Sequence, residues 1–186
     1  MDLPTDKNEI QILCDRTDAK LRYADIYVTE LQKLTVNGDD IDRAHQESFL
    51  FHLWGAKDAF LIELNHYYSI NLPIDKVRNE TLLEMFKKIR KESVELNELI
   101  STEKDKDCWL FVLKEMRDSS THRTAIPRTF HVGGEFDNQV FLRNQKTGQN
   151  IERHYIDEFA EWSSNMKILL KRLRTSALCQ NNIVLT

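Results

Sequence analysis

Apolar residues recur at intervals of three and four along most of the chain, which is the pattern of amphipathic helices. Four helices are predicted over the first two thirds of the sequence, and Asp40 is the expected N-cap of the second. The fourth contains the densest apolar run, residues 108–113, which could also form a buried strand. We expect a helix there because the neighbouring segments are helical. The four helices are predicted to begin near residues 7, 41, 75 and 102–105, and the first and third to end near residues 36 and 100.

The pattern changes in the last third of the chain, after Pro127 breaks the fourth helix. Three short segments there have strand-like composition, and Lys146-Thr147-Gly148 supplies a turn, so a small β-hairpin is predicted. Helical spacing then returns, with an aromatic stripe that belongs either to the core or to a dimer surface. The strand-like segments are residues 128–132, 139–143 and 149–151.

The predicted fold class is therefore mainly α, a helical bundle of four to five helices with a small β-hairpin before the last helix. Residues 1–186 are expected to form one domain, because no repeat or linker divides them. Its expected parts are a four-helix core at residues 7–126, a hairpin insertion at 127–152, a C-terminal helix at 153–175 and a frayed tail at 176–186.

Composition excludes several classes of protein. With 5 Gly and 3 Pro in 186 residues, the chain has too little turn chemistry for a many-stranded sandwich or barrel. It has no run of about 18 apolar residues, so no membrane-spanning helix is expected. The polar N-terminus lacks the apolar segment of a secretory signal. A cytoplasmic protein is the natural expectation.

The sequence also gives little sign of a metal or another cofactor, and none is expected. The 3 cysteines are far apart and form no CxxC pair, which argues against a disulfide framework and a cysteine zinc site. His45 and His52 share a helical face, which could suggest a metal pair. No acidic or cysteine ligand has a matching spacing, so packing or surface histidines are favoured.

The formal net charge of −4 argues against a protein that coats nucleic acid through bulk electrostatics. The charge is unevenly distributed, however. Residues 1–113 hold 15 basic and 22 acidic side chains, whereas residues 114–186 hold 11 basic and 8 acidic side chains. A localised site for an anionic substrate in the second part is compatible with the average charge.

The polar segment that ends the fourth helix is the strongest candidate for chemistry. It follows the apolar run directly, so its charged groups are expected at the edge of the core, where they need partners or a ligand. Arg117 supplies a fixed cation with forked donors that suit phosphate, and His122 can exchange a proton near neutral pH. Positions five apart on a straight helix differ by roughly 140° in direction. The weak helix formers between the two could bend or tighten the turn. The segment reads Arg117-Asp118-Ser119-Ser120-Thr121-His122.

This segment resembles the R-x4–6-H motif of the HEPN superfamily (higher eukaryotes and prokaryotes nucleotide-binding), in which a polar residue such as Asp118 commonly follows the Arg. The helices at residues 7–126 also resemble the family's bundle of about four helices. The resemblance implies a metal-independent endoribonuclease whose active site combines the two motifs of a homodimer. His122 would handle the proton of the ribose 2′-hydroxyl or of the leaving oxygen, and Arg117 would stabilise charge on the phosphate. Asp118 would orient one of these two.

The resemblance also implies products and partners. RNA is the expected substrate, and its cleavage would leave a 2′,3′-cyclic phosphate or the hydrolysis product of that group. Many family members are toxins or phage-defence effectors that act with a regulatory protein such as an antitoxin. One alternative is a catalytically inactive HEPN-like domain that binds a nucleotide or a partner protein. Another is a plain helical interaction module.

Other residues are supporting candidates around the motif. Asp58 lies on the second helix and could pair with Arg117 across the bundle, although an exposed carboxylate would have the same sequence pattern. Arg123 and Arg128 follow the motif and could hold an RNA backbone, or they could belong to a solvated loop. The hydroxyl residues inside the motif complete the supporting set; these are Ser119, Ser120 and Thr121.

Overall fold

The computed structural model shows a mainly α fold, which confirms the predicted fold class. It describes residues 7–34, 39–122, 126, 128–135, 139–143, 148 and 150–183. The helices in this part of the chain are α1 (Lys7–Lys33), α2 (Asp40–Tyr67), α3 (Asn79–Lys88), α4 (Val94–Lys104), α5 (Trp109–His122) and α6 (Tyr155–Gln180). A single 3₁₀ turn precedes α3 at Ile74–Lys76, and the strands are β1 (Arg128–Phe130), β2 (Val140–Arg143) and β3 (Asn150–His154).

Helices α1, α2 and α6 form the centre of the fold. Helix α1 runs antiparallel to α2, since Cys14 near its start contacts Tyr67 at the end of α2. Helix α6 packs on both, and its Phe159 stacks on Phe49 of α2 with ring centroids 4.3 Å apart. Trp162 on the same helix is fully buried. The aromatic stripe of the last helix therefore belongs to the core.

The predicted frayed tail is wrong at its start, because α6 continues to Gln180. Ala177 is fully buried, and the side chains of Ser176 and Gln180 both donate hydrogen bonds to the carboxylate of Glu95 on α4. The carboxylate of Glu95 is buried and also accepts a hydrogen bond from the Tyr68 hydroxyl at 2.7 Å. This long-range network keeps the end of α6 helical.

The predicted third helix is interrupted, and the interruption is fixed by a buried cap. Helix α3 ends at Lys88, Arg90 adopts a left-handed backbone conformation with φ of 53°, and α4 begins after Ser93. The Ser93 hydroxyl accepts a hydrogen bond from the Leu96 amide at 3.1 Å, as an N-cap does. The predicted N-cap of α2 also differs by one position, since Asp39 rather than Asp40 accepts from the first turn.

Removal of this cap is expected to destabilise the protein. Ser93→Ala leaves the Leu96 amide without its acceptor and removes a hydrogen bond to buried Glu95, so we expect a loss of about 1–2 kcal/mol in the free energy of unfolding. Urea titration followed by circular dichroism measures this loss. Ser101→Ala is the control, because that exposed hydroxyl bonds only a carbonyl of its own helix. Equal stability of the two variants would argue against a structural role for the cap.

The predicted hairpin is a three-stranded antiparallel meander in the order β1-β2-β3. The strand β2 buries Val140, Phe141 and Leu142, which anchors the sheet on the helices. In the described part of the chain, no helix combines the length and the apolar character needed to cross a membrane.

Candidate functional site

A surface cleft of about 400 Å³ opens beside the first half of the candidate motif. Helix α5 packs antiparallel to α2 here, so the residues before and at the start of the motif face the second half of α2. The start of α3 and the end of α4 close the other side. We call this space the α2–α5 cleft, and its charged and aromatic lining includes Trp54, Lys57, Asp58, Glu103, Lys114 and Arg117.

Arg117 lies at this cleft and is held from two directions. Its Nη1 donates a hydrogen bond to Oδ1 of Asp118 at 2.7 Å, and its guanidinium carbon lies 5.8 Å from the ring centroid of Trp54. The Asp118 contact is the one side-chain hydrogen bond of Arg117 within the described residues. A guanidinium has five N–H donors. Arg117 therefore keeps donors for a ligand while the neighbouring carboxylate and ring restrain it.

Asp58 lines the same cleft as Arg117, and 52% of its side chain is exposed. Among the described residues no hydrogen bond or ion pair joins the two side chains, so their pairing stays a prediction. Its Oδ1 lies 3.5 Å from Nζ of Lys57. Partial removal from water raises the pKa of Asp58, and the cations of Lys57 and Arg117 only partly oppose this effect. The carboxyl group is therefore close enough to Arg117 to interact with its charge, and it binds a proton more readily than a free aspartate does.

The raised pKa of Asp58 has a testable consequence for stability. When the pH is above the pKa of Asp58, the folded state holds a carboxylate that the cleft disfavours, which is a penalty to stability. When the pH is below the ordinary pKa of 3.8, the group is protonated in both the folded and the unfolded state, so this penalty vanishes. Asp58→Asn removes the penalty at neutral pH. We expect the variant to gain up to about 1 kcal/mol at pH 7, because half of the side chain remains in water, and to lose this advantage as the pH falls. Urea titrations at several pH values test this, and a variant that is less stable at pH 7 would contradict it.

A buried carboxylate forms the floor of the cleft. Glu103 lies 3.0 Å from the ammonium groups of both Lys57 and Lys114, and it accepts a hydrogen bond from Nδ2 of Asn79 at 2.7 Å. Burial raises the pKa of Glu103, but the two cations outweigh this effect, so its pKa is below the ordinary value. Lys57 also packs on Trp54, with its Nζ 4.3 Å from the ring centroid.

The sequence analysis missed this cluster. A signal was present, because Lys57 interrupts the apolar spacing of Trp54 and Leu61 on α2. A cation inside an apolar stripe needs a buried partner. The partner, Glu103, could not be chosen from the sequence because it lies on another helix.

The hydroxyl groups inside the motif bond to their own helix. Ser119 donates to the carbonyl of Glu115 at 2.8 Å, and Ser120 and Thr121 both donate to the carbonyl of Arg117 at 2.9 Å. This back-bonding was expected, but α5 remains one continuous α-helix through these positions. The three residues support the helix that presents Arg117, and their protons are committed to it.

His122 is the last residue of α5, and its side chain lies outside the described atoms. The approach of its imidazole to Arg117 therefore stays a prediction. Arg123 also lies outside the described residues.

Arg128 is in a different environment from the one that the sequence suggested. Its Nη1 lies 2.9 Å from Oδ2 of Asp42, and only 5% of its side chain is exposed. Asp42 is fully buried and also accepts hydrogen bonds from the Tyr155 hydroxyl at 2.8 Å and from Gln46 at 2.7 Å. The guanidinium joins β1 to α2, and the carboxylate of Asp42 in turn joins α2 to α6. This geometry argues against Arg128 as a contact to an RNA backbone.

His45 and His52 on α2 pack against aromatic rings. Tyr27 of α1 stacks on His52 with ring centroids 5.5 Å apart, and it lies 5.7 Å from the ring of His45. The packing interpretation of the two residues fits these contacts. Among the residues that the structure describes, no group of three or more His, Cys, Asp or Glu side chains is placed to hold a metal ion.

Comparison of the chain with protein-family models, with curated proteins and with solved structures gave no match. The resemblance to the HEPN superfamily therefore rests on the motif and its helical context, and it stays a prediction.

Proposed function

We propose that this protein is a metal-independent endoribonuclease of the HEPN type, which cleaves RNA with Arg117 and His122. The position of Arg117 carries the proposal. Its guanidinium lies at an open cleft, is oriented by Asp118 and Trp54, and has donors that no described residue occupies. A restrained guanidinium with free donors suits the two oxygens of a phosphodiester.

In the proposed reaction the ribose 2′-oxygen attacks the adjacent phosphorus, and the bond from phosphorus to the 5′-oxygen breaks. One proton leaves the 2′-hydroxyl and one proton reaches the departing 5′-oxygen. His122 performs one of these transfers, and the second motif of a homodimer supplies the other. Arg117 stabilises the charge that develops on the phosphate, and Asp118 orients the guanidinium.

The charges around Arg117 are compatible with an anionic substrate. Glu103 is neutralised by Lys57 and Lys114, so its buried carboxylate does not repel a phosphate at the cleft. The second nearby carboxyl group, Asp58, has a raised pKa and so binds a proton more readily than a free aspartate, which reduces its repulsion of a phosphate. The chain is also net basic from residue 114 onward, and a dimer would bring two such regions together.

The proposed biological role is that of a cytoplasmic toxin or phage-defence effector controlled by a partner protein such as an antitoxin. The experiment that tests the activity is incubation of the purified chain with a randomised-sequence RNA in the presence of EDTA. Cleavage is the expected result. Intact RNA would contradict the proposal, and a co-purified nucleotide or protein would then favour the catalytically inactive alternative.

A further inference from the structure

A second pocket lies along the same groove, next to the second half of the motif. It encloses about 270 Å³ between α2 and α5. Ser120 and Thr121 of the motif line one side, and α2 lines the other. We call it the Phe51 pocket, and its lining is Glu47, Ser48, Phe51, His52, Ser120 and Thr121.

Phe51 is unusual for a large aromatic residue in the middle of a central helix, because 56% of it is exposed. The Nζ of Lys20 lies 4.9 Å from its ring centroid, so a cation accompanies the exposed ring. The other residues that line the pocket are polar. An isolated ring among polar groups differs from the contiguous apolar patch that is typical of a protein interface.

Three aromatic rings hold His52 in this pocket. Tyr27 stacks on its imidazole, and Tyr23 and Phe51 contact it edge to face at 5.2 and 5.3 Å. Its buried Nδ1 has no hydrogen-bond partner in the described part of the chain. Burial, with the nearby charge of Lys20, lowers the pKa of His52, so the neutral imidazole is favoured, with one donor and one acceptor. The three rings fix the orientation of the imidazole, and because Nδ1 is enclosed by protein, a ligand reaches the ring only from the side of its other nitrogen, Nε2.

We propose that the Phe51 pocket is a base subsite, where a nucleobase of single-stranded RNA stacks on Phe51 and presents its polar edge to His52. A nucleobase has an apolar face and a hydrogen-bonding edge, which matches an exposed ring beside a fixed imidazole. Lys20 is placed to contact the adjoining phosphate. The subsite lies beside Ser120 and Thr121, which are between Arg117 and His122 in the chain, so a base bound there would position the neighbouring ribose at the motif.

This inference rests on the proposed function for its role in positioning a substrate, but its test does not require cleavage. The probe is a fluorescein-labelled, randomised single-stranded RNA of about 12 nucleotides with 2′-O-methyl riboses, which have no 2′-hydroxyl to attack the phosphate. Fluorescence anisotropy gives its Kd for the full chain. Phe51→Ala is expected to weaken binding by about 5- to 100-fold, and Phe51→Trp to keep it near the wild-type value.

Phe130→Ala is the matched control, because Phe130 is 54% exposed but lies on the sheet. The Kd of the Phe130→Ala variant for the probe should equal that of the wild type. A second variant, His52→Phe, keeps an aromatic ring and removes the hydrogen-bonding groups. The Kd is measured with four further probes of the same length and chemistry, each containing one kind of base. We expect His52→Phe to reduce the differences in Kd among these four probes.

Two results would overturn the base subsite: no measurable binding of the probe, or equal affinities for wild type and Phe51→Ala. If the second result comes with a changed sedimentation coefficient of Phe51→Ala, the surface is a protein interface. Phe51-dependent binding without any cleavage of ordinary RNA would contradict the proposed catalysis and leave the subsite supported. Cleavage of ordinary RNA, together with binding of the probe that does not depend on Phe51, would overturn the subsite and support the proposed catalysis.

Discussion

Replacement of Arg117 or His122 by alanine is expected to reduce RNA cleavage by about 10²–10⁴-fold while the protein stays folded. The loss follows from the separate roles of the two groups, since one stabilises charge in the transition state and the other transfers a proton. Arg117 is partly exposed and makes one side-chain hydrogen bond among the described residues, so its loss should cost less than about 1 kcal/mol of stability.

The matched control is Arg172→Ala. Arg172 is an exposed arginine on α6 whose guanidinium pairs with Glu98, away from the α2–α5 cleft. Cleavage rates are measured with EDTA present, and circular dichroism verifies the fold of each variant. Wild-type rates for Arg117→Ala and His122→Ala would exclude the assignment of these residues as catalytic.

Arg174→Ala is expected to lower the free energy of unfolding by about 3–5 kcal/mol. Arg174 donates to both carboxylate oxygens of Glu63 at 2.8 Å and to Oδ1 of Asp18 at 2.9 Å. Glu63 is fully buried on α2 and also accepts a hydrogen bond from Tyr67 at 2.8 Å. Without the guanidinium, a buried carboxylate at the junction of α1, α2 and α6 loses its counter-charge.

Arg172→Ala serves as the control here as well. Both arginines lie on α6 and pair with a glutamate, but 56% of the Arg172 side chain is exposed against 16% for Arg174. An exposed pair contributes at most about 1 kcal/mol. Urea titration of both variants measures the difference, and equal losses would show that the buried ion pair does not stabilise the fold.

The helices of this protein were predictable where their apolar residues lie on one face that packs on the core. The apolar run at 108–113 is helical from Trp109 onward, as the neighbouring periodicity indicated. The break between α3 and α4 was not predictable from that signal, because the apolar spacing of Leu82, Phe86, Leu96 and Ile100 continues across it. Ser93 becomes a cap because its hydroxyl also bonds to Glu95, whose other partners lie on α2 and α6.

The ends of elements depended on contacts that are distant in sequence. The segment after residue 175 was predicted to be a frayed tail, yet Ser176 and Gln180 bond to a carboxylate on α4. Likewise, the sequence around Arg128 is compatible with a solvated loop, but its guanidinium pairs with Asp42 at the start of α2. A sequence pattern shows that such groups need partners, and only the fold selects which partners they have.

In the candidate site as well, some features could be proposed from the sequence and others required the fold. A position for Asp58 across the bundle from Arg117 could be proposed, beside the alternative of an exposed carboxylate, because α2 and α5 were both recognisable as helices. The pairing of Lys57 with Glu103 could not be proposed from the sequence, since it depends on where α4 packs. Phe51 was not singled out in the sequence, and His52 was considered there only as a packing, surface or metal-pair residue, because no sequence pattern showed that the ring of Phe51 is exposed.

The chemistry of the RNA ends is the most direct test of the central claim that Arg117 and His122 cleave RNA through the ribose 2′-hydroxyl. The wild-type chain is incubated with a randomised RNA in EDTA, and the 3′ ends of the fragments are analysed by mass spectrometry. We expect 2′,3′-cyclic phosphates or the monophosphates formed by their hydrolysis. Fragments with 3′-hydroxyl ends, or RNA that remains intact, would contradict the account.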